Sequence, residues 1–290
     1  MSFRKLFMPL LLIVLSLSLF GTACASQFTD AHGNVIELDD TLEAYSEFLL
    51  SGADDAARKG ETNLGDLWAD ALHWFAVSEK INEFFEEDDA AAGITSLDVD
   101  MSHVVALWNG GNLRADIQPG KFGAEQLAEV LPYPNKVAVV YMTGAQLAEQ
   151  LEAASQGLPY TEETAAACAS LMQVSGLSYT VDTGKDYDKG EAYGDNWFTA
   201  KSVNRVSISS VNGEPFDPEA VYAVITSNAN FNGMDSSYVF KAAAEANEHS
   251  TITTAVVRDV VWMYLAEQLS NRVTEMYSAP QGRLDVVAGQ

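Results

Sequence analysis

Apolar residues at Leu64, Leu67, Trp68, Ala71, Leu72 and Phe75 recur at i, i+3, i+4, i+7, i+8 and i+11, the spacing of a helix that buries one stripe. Thr143 stands three residues before Gln146, a capping box ahead of Leu147 and Leu151, and predicts a second helix. Ile252, Val256, Val257, Val260, Val261, Tyr264 and Leu265 form a broad apolar face and predict one long helix near the end. Between these lie β-rich runs: Val104 to Trp108, Val137 to Tyr141, Leu177 to Val181, Val203 to Ile208 and Tyr222 to Thr226. Most are bounded by Gly, Asn, Asp or Pro, so each is expected as a strand. Phe28-Thr29 and Val35 to Leu38 flank a His32-Gly33-Asn34 turn and suit a hairpin, followed by a helix around Leu42 to Leu50.

Helices and strands interleave without an even βαβ rhythm. The expected class is therefore α+β, a single domain with a mixed β-sheet packed by helices. Residues 26–60 read as a hairpin and helix extension, and residues 61–290 as the main body. No internal repeat or low-complexity tract interrupts them.

The amino terminus is of another kind. Arg4 and Lys5 precede a mostly apolar run from Leu6 to Phe20, then Gly21-Thr22-Ala23-Cys24-Ala25, which is the pattern of an export signal over residues 1–25. The run is shorter than the roughly 20 residues a bilayer span needs, and it contains Pro9. Two processing outcomes stand open. Gly21-Thr22-Ala23-Cys24 resembles a lipobox, which would lipidate Cys24, whereas Ala23-Cys24-Ala25 reads as an A-x-A site that would remove it. The expectation is an exported protein in the periplasm or at the cell surface, touching the membrane only through a lipid anchor.

Charge narrows the partners. The 290 residues hold 16 Lys+Arg against 41 Asp+Glu, a formal net charge of −25, which opposes non-specific binding to nucleic acid or anionic lipid. Two cysteines and four scattered histidines make neither a disulfide framework nor a Cys- or His-rich metal centre. No cofactor is expected. Cys168 reads as a small apolar core residue.

From Glu61 onward several blocks resemble the C-terminal domain of the 5′-nucleotidase family. Glu61-Thr62-Asn63-Leu64-Gly65-Asp66-Leu67 is similar to its opening helix motif. Asn109-Gly110-Gly111-Asn112-Leu113-Arg114 resembles its Asn-x-Gly-Gly-Ile-Arg loop, with Asn112 where the second glycine is usual. Leu131-Pro132-Tyr133-Pro134-Asn135 resembles Leu-Pro-Phe-x-Asn, and Met142 to Leu147 resembles Leu-Thr-Gly-x-x-Leu. Gln173 to Leu177, Tyr222 to Thr226 and Gly282-Arg283-Leu284 continue the series in the family's order.

The resemblance implies a domain that holds the nucleoside part of a substrate, beside a dinuclear metallophosphatase half that performs hydrolysis. The motifs of that half are not found here. Phe28 to Asn34 resembles its first metal motif, but the residues that follow supply no further ligands, so Asp30 and His32 are expected as turn residues. His73, His103 and His249 are expected to be structural or solvated.

The implied ligand residues are Asn109, Gly110, Gly111, Arg114, Asn135, Phe231 and Asp235. The glycines would let backbone approach the ligand, and Arg114 would either contact it or pair with a carboxylate. Asn135 would offer an amide to ligand or bond the turn before Val137. Asp235 fits the position that accepts bonds from ribose hydroxyls. The family's two stacking rings are absent, because Leu171 and Ala229 stand at their positions; Phe231 lies two residues from the second, and Met234 replaces a glycine.

The expected function is binding of a nucleoside or nucleotide without a metal centre of the chain's own. One alternative is a specificity subunit completed by a separate metallophosphatase chain. The other is an envelope scaffold with a degenerate pocket.

Overall fold

The computed structural model describes residues 25–29, 33–39, 43–53 and 55–288. The leader, Cys24, Asp30 and His32 lie outside them. Strands β1 (Ala25–Thr29), β2 (Val35–Asp39) and β3 (Ala44–Ser46) precede helices α1 (Ala56–Lys59), α2 (Asn63–Val77) and α3 (Glu87–Ala91). Next come β4 (Val104–Asn109), β5 (Gly120–Phe122), α4 (Ala124–Val130), β6 (Lys136–Thr143), α5 (Gly144–Ala154), β7 (Met172–Ser175) and β8 (Leu177–Asp182). A hairpin of β9 (Lys189–Tyr193) and β10 (Trp197–Ala200) leads to β11 (Val206–Val211), β12 (Glu214–Pro215) and β13 (Val221–Ser227). The chain closes with α6 (Asn228–Phe231), α7 (Tyr238–Ala246), β14 (Thr251–Val256), α8 (Val257–Glu267), β15 (Arg272–Val273) and β16 (Leu284–Val287).

The main sheet runs β14-β6-β13-β4-β7. Only β13 and β4 are parallel; the other neighbours are antiparallel, so the sheet is mixed. Alternate side chains of one strand enter different cores. Val104, Ala106 and Trp108 of β4 join Leu64, Leu67, Trp68 and Phe75 of α2 and Val260, Val261 and Leu265 of α8. Val105 and Leu107 join Leu147 and Leu151 of α5, Val239 and Phe240 of α7, and Tyr179 and Val181 of β8. Burial on both faces explains why these strands are nearly continuous in apolar residues. A second sheet runs β12-β11-β8-β16, and a third runs β15-β3-β5.

The periodic helix is α2, and Thr62 caps it by accepting the N–H of Gly65 at 3.0 Å. At α5 the capping box closes both ways: Thr143 Oγ1 accepts from Gln146 N at 3.2 Å, and Gln146 Oε1 accepts from Thr143 N at 2.9 Å.

Three expectations are corrected. The helix around residues 42–50 does not form: residues 44–46 are β3, paired with β5 and β15, and Tyr45 N donates to Asn271 O at 2.8 Å. Partners more than 70 residues away outweigh the local helical spacing. The single helix from Ile252 to Leu265 is a strand followed by a helix. Its first half is rich in β-branched residues and lies beside β6, with Thr253 Oγ1 donating to Val137 O at 3.0 Å. Helix α8 begins only at Val257. The strand expected from Val203 starts at Val206, leaving Val203 exposed.

Candidate ligand site

Parallel neighbours β4 and β13 end side by side, and open α/β sheets bind ligands beyond the carboxyl ends of such strands. The two ends are stitched together. Thr226 Oγ1 donates to Leu107 O at 2.8 Å, and Asn230 Nδ2 donates to Thr226 Oγ1 at 2.8 Å. β4 delivers Asn109 and a tight 3-10 turn, Gly110–Asn112; β13 delivers α6 and the loop to Asp235. Across this gap Asn109 Nδ2 donates to Asp235 Oδ2 at 3.3 Å, and Asn112 Nδ2 donates to Asn109 Oδ1 at 2.7 Å. Two of the expected ligand residues, separated by 126 positions in the chain, are thereby brought together.

Asp235 is half-buried, in the left-handed region at φ 56°. Burial raises its carboxyl above the usual range, against the charges of Arg58 and Arg114. Arg114 is exposed and follows the same turn, its N–H donating to Val130 O at 2.9 Å. Among the described residues its guanidinium has no carboxylate within ion-pair distance, so the ion-pair reading finds no partner there.

Asn135 takes part through its backbone: its carbonyl accepts the Val257 N–H at 2.9 Å at the start of α8. The turn before Val137 is held instead by Asn228 Oδ1, which accepts from Lys136 N at 3.0 Å. Phe231 ends α6 partly buried against the second core, Leu171 is fully buried, and Met234 is 60% exposed.

The glycines also have a packing role that the motif did not announce. A Cβ on Gly110 would stand 2.0 Å from Ala57 O of α1, and one on Gly111 would stand 2.6 Å from Ala169 O. On those faces the loop makes room for protein backbone. Gly110→Ala is expected to cost about 1–3 kcal/mol through overpacking, read as a lower urea midpoint. An unchanged midpoint would show that α1 yields freely.

Asn112 and Arg58 escaped the sequence reading. Asn112 stands where the motif has a glycine, so a polar residue there was the available signal. Arg58 belongs to a short cationic pair, Arg58-Lys59, in a strongly acidic chain.

The Glu61, Gln173 and Gly282 blocks meet each other rather than the gap. Gln173 Oε1 accepts from Thr62 N at 2.9 Å, and its Nε2 donates to Ala57 O at 3.1 Å and Gly60 O at 3.0 Å. Glu61 accepts the N–H groups of Gln281 at 2.9 Å and Leu284 at 3.0 Å. Arg283 grips Asp70. The opening helix, the Gln173 block and the closing Gly-Arg-Leu block are thus one buried polar joint.

Among the described residues no three His, Cys, Asp or Glu side chains are grouped to hold a metal ion. His73 Nε2 lies 3.1 Å from Val104 O, and burial lowers its pKa, which keeps it neutral. His249 Nδ1 is 3.2 Å from Asp98. Cys168 is buried, and burial pushes its thiol up.

The family model described as "5′-nucleotidase, C-terminal domain" matches residues 41–245. The chain belongs to that family. The match begins ahead of Glu61 and takes in β3 and α1.

A relative of this 5′-nucleotidase C-terminal domain is the trifunctional nucleotide phosphoesterase protein YfkN of Bacillus subtilis (strain 168), 28% identical over 227 residues. The alignment covers 77% of this chain and 13% of that protein. The crystal structure of a 5′-nucleotidase precursor from Thermus thermophilus is 26% identical with a TM-score of 0.60, over 86% of this chain and 40% of that one. Haemophilus influenzae NAD nucleotidase shares the fold, at 15% identity and a TM-score of 0.55, over 90% of this chain and 48% of that one. The chain thus spans less than half the length of each of these relatives.

Proposed function

We propose that the domain binds a nucleoside or nucleotide beyond the ends of β4 and β13. The observation that carries this reading is the Asn109–Asp235 hydrogen bond, which joins two motif loops beside the exposed Arg114. Asp235 accepts from hydroxyl donors, and Arg114 donates to ligand oxygens. Exposed Tyr133 and Met234 lie on loops near these strand ends and offer surface to a base, in place of the family's ring clamp.

A ligand that binds the native state only should raise the melting temperature. With a panel of AMP, UMP, adenosine and uridine, at least one is expected to do so, and Arg114→Ala to abolish the rise. No shift across the panel would favour the scaffold reading.

Hydrolysis belongs to a second proposal. Because the named nucleotidase relatives are more than twice as long as the stretch they share with this chain, this domain is read as the specificity unit of a hydrolase completed by metallophosphatase machinery. The purified domain with Mn²⁺ is then expected to release no phosphate from AMP. Metal-dependent turnover lost in His32→Ala would refute that. The leader at residues 1–25 supports an exported, lipid-anchored protein, checked by fractionation of wild type against Cys24→Ser.

A further inference from the structure

Hairpin β9–β10 forms a two-stranded sheet of its own, with Tyr193 opposite Trp197 beside its turn. Side chains seat it on the body of the domain. Gln156 Oε1 accepts from Phe198 N at 2.9 Å, and Tyr238 OH accepts from Ala200 N at 2.9 Å while donating to Glu149 Oε1 at 2.9 Å. The Tyr193 ring tilts against that of Tyr238, with centroids 5.6 Å apart. Its hydroxyl reaches the loop after α6 and donates to Gly233 O at 2.5 Å.

That loop carries Asp235 two residues further on. Gly233 (φ 83°) and Asp235 (φ 56°) are both in the left-handed region, a conformation that a residue other than glycine keeps only where its surroundings hold it. The loop secures its own amides: Gly233 N donates to Asn230 O at 2.9 Å, and Met234 N donates to Ala229 O at 3.0 Å. The Gly233 carbonyl is secured from outside, by Tyr193. A Cβ on Gly233 would stand 2.5 Å from that hydroxyl, so glycine is needed for the close approach as well as for its φ. The loop is thus tied on two sides. Asn109 holds the Asp235 carboxylate at 3.3 Å from the end of β4, and Tyr193 holds the backbone from the hairpin.

A carboxylate that recognises hydroxyl groups must stay within roughly 0.5 Å of its working position, which a surface loop achieves only with support from neighbouring elements. We propose that Tyr193 is a positioning residue of the candidate site, its hydroxyl fixing the Gly233–Asp235 loop so that the Asp235 carboxylate meets the hydroxyls of a ribose. The assignment rests on the reading of Asp235 as a hydroxyl acceptor and deepens it. Selectivity for a hydroxyl-bearing sugar is set in part by the hairpin, acting through the loop.

Isothermal titration of the full chain with AMP and UMP, each beside its 2′,3′-dideoxy analogue, tests the assignment. Wild type is expected to bind at least one ribonucleotide about ten-fold tighter than its analogue, the scale of a hydroxyl hydrogen bond to a charged acceptor. Tyr193→Phe keeps the ring against Tyr238 and removes only the hydroxyl. It should bring the two affinities to within about two-fold by weakening the ribonucleotide alone. Unchanged binding of the dideoxy analogue separates lost positioning from a collapsed site. In Asp235→Asn the preference should already be gone, and adding Tyr193→Phe should remove nothing more. A Tyr193→Phe protein with the wild-type preference overturns the assignment and spares the parent reading. So does one that loses both ligands alike, or a double variant that binds the ribonucleotide more weakly than Asp235→Asn does. A wild type that prefers neither ribonucleotide to its analogue, or binds none of the four, overturns the two together.

Discussion

Arg283→Ala is expected to remove about 3–5 kcal/mol of folding stability, because it leaves a buried carboxylate without its cation. Arg283 Nη1 lies 2.7 Å from Asp70 Oδ1, and Nη2 donates to Oδ2 at 2.9 Å, a two-pronged contact. The side chains are only 17% and 11% exposed, so solvent screens them little. The same guanidinium donates to Val174 O at 3.0 Å and Gln281 Oε1 at 2.8 Å. Asp70 also accepts from Ser175 Oγ at 2.6 Å and Tyr277 OH at 2.8 Å, and Tyr264 OH is 2.8 Å from that hydroxyl. Asp70→Ala should cost a similar amount, and the double variant clearly less than the sum, since each single change strands the other partner. Urea unfolding of the four proteins measures this. A loss below about 1 kcal/mol for Arg283→Ala would place the pair with ordinary surface bridges.

The second large effect is a fall in stability as pH rises toward 8. Asp66 is fully buried in the first turn of α2; its Oδ2 accepts from Gln281 N at 3.1 Å, and Oδ1 has no partner among the described residues. Burial, reinforced by the charge of Glu61 and opposed by Arg283, pushes its carboxyl up to about 8. In the unfolded chain an aspartate titrates near ~3.9. Below that value both states are protonated, and the neutral carboxyl contributes its full stabilisation. Between the two values the native state keeps a proton the unfolded chain has released, so stability falls by at most ~1.4 kcal/mol per pH unit. Above about 8 the contribution is gone. The wild-type urea midpoint is therefore expected to drop between pH 5.5 and 8.5. Asp66→Asn, which keeps the acceptor and cannot ionise, should flatten the profile and be the more stable protein at the alkaline end. A wild-type profile as flat as that of Asp66→Asn would show that Asp66 is ionised in the native state.

Both effects arise where the Glu61, Gln173 and Gly282 blocks meet. These blocks carry the family resemblance because buried polar groups must find matching partners, and such partners tolerate little variation in residue type. Residues such as Gln173, which satisfies Thr62, Ala57 and Gly60 together, therefore mark the fold more than the ligand. The candidate site was legible in part. Asn109, Arg114 and Asp235 were named from the motifs and do converge, whereas Asn135 contributes its carbonyl to α8 and Phe231 packs against a core. Arg58 was not legible, since nothing in a lone Arg-Lys pair says that α1 folds back onto the glycine turn.

Helices α2 and α5, strands β4, β6, β8 and β13, and the order of the blocks are readable from the residues alone. Apolar period and capping are properties of neighbouring residues, and so are written locally. Packing between distant segments is what makes residues 44–46 and 251–256 strands, brings protein backbone against Gly110 and Gly111, joins Asn109 to Asp235 and buries Asp66. Those outcomes depend on which distant segments pack together and how far they exclude water, and neither quantity exists until the chain has folded.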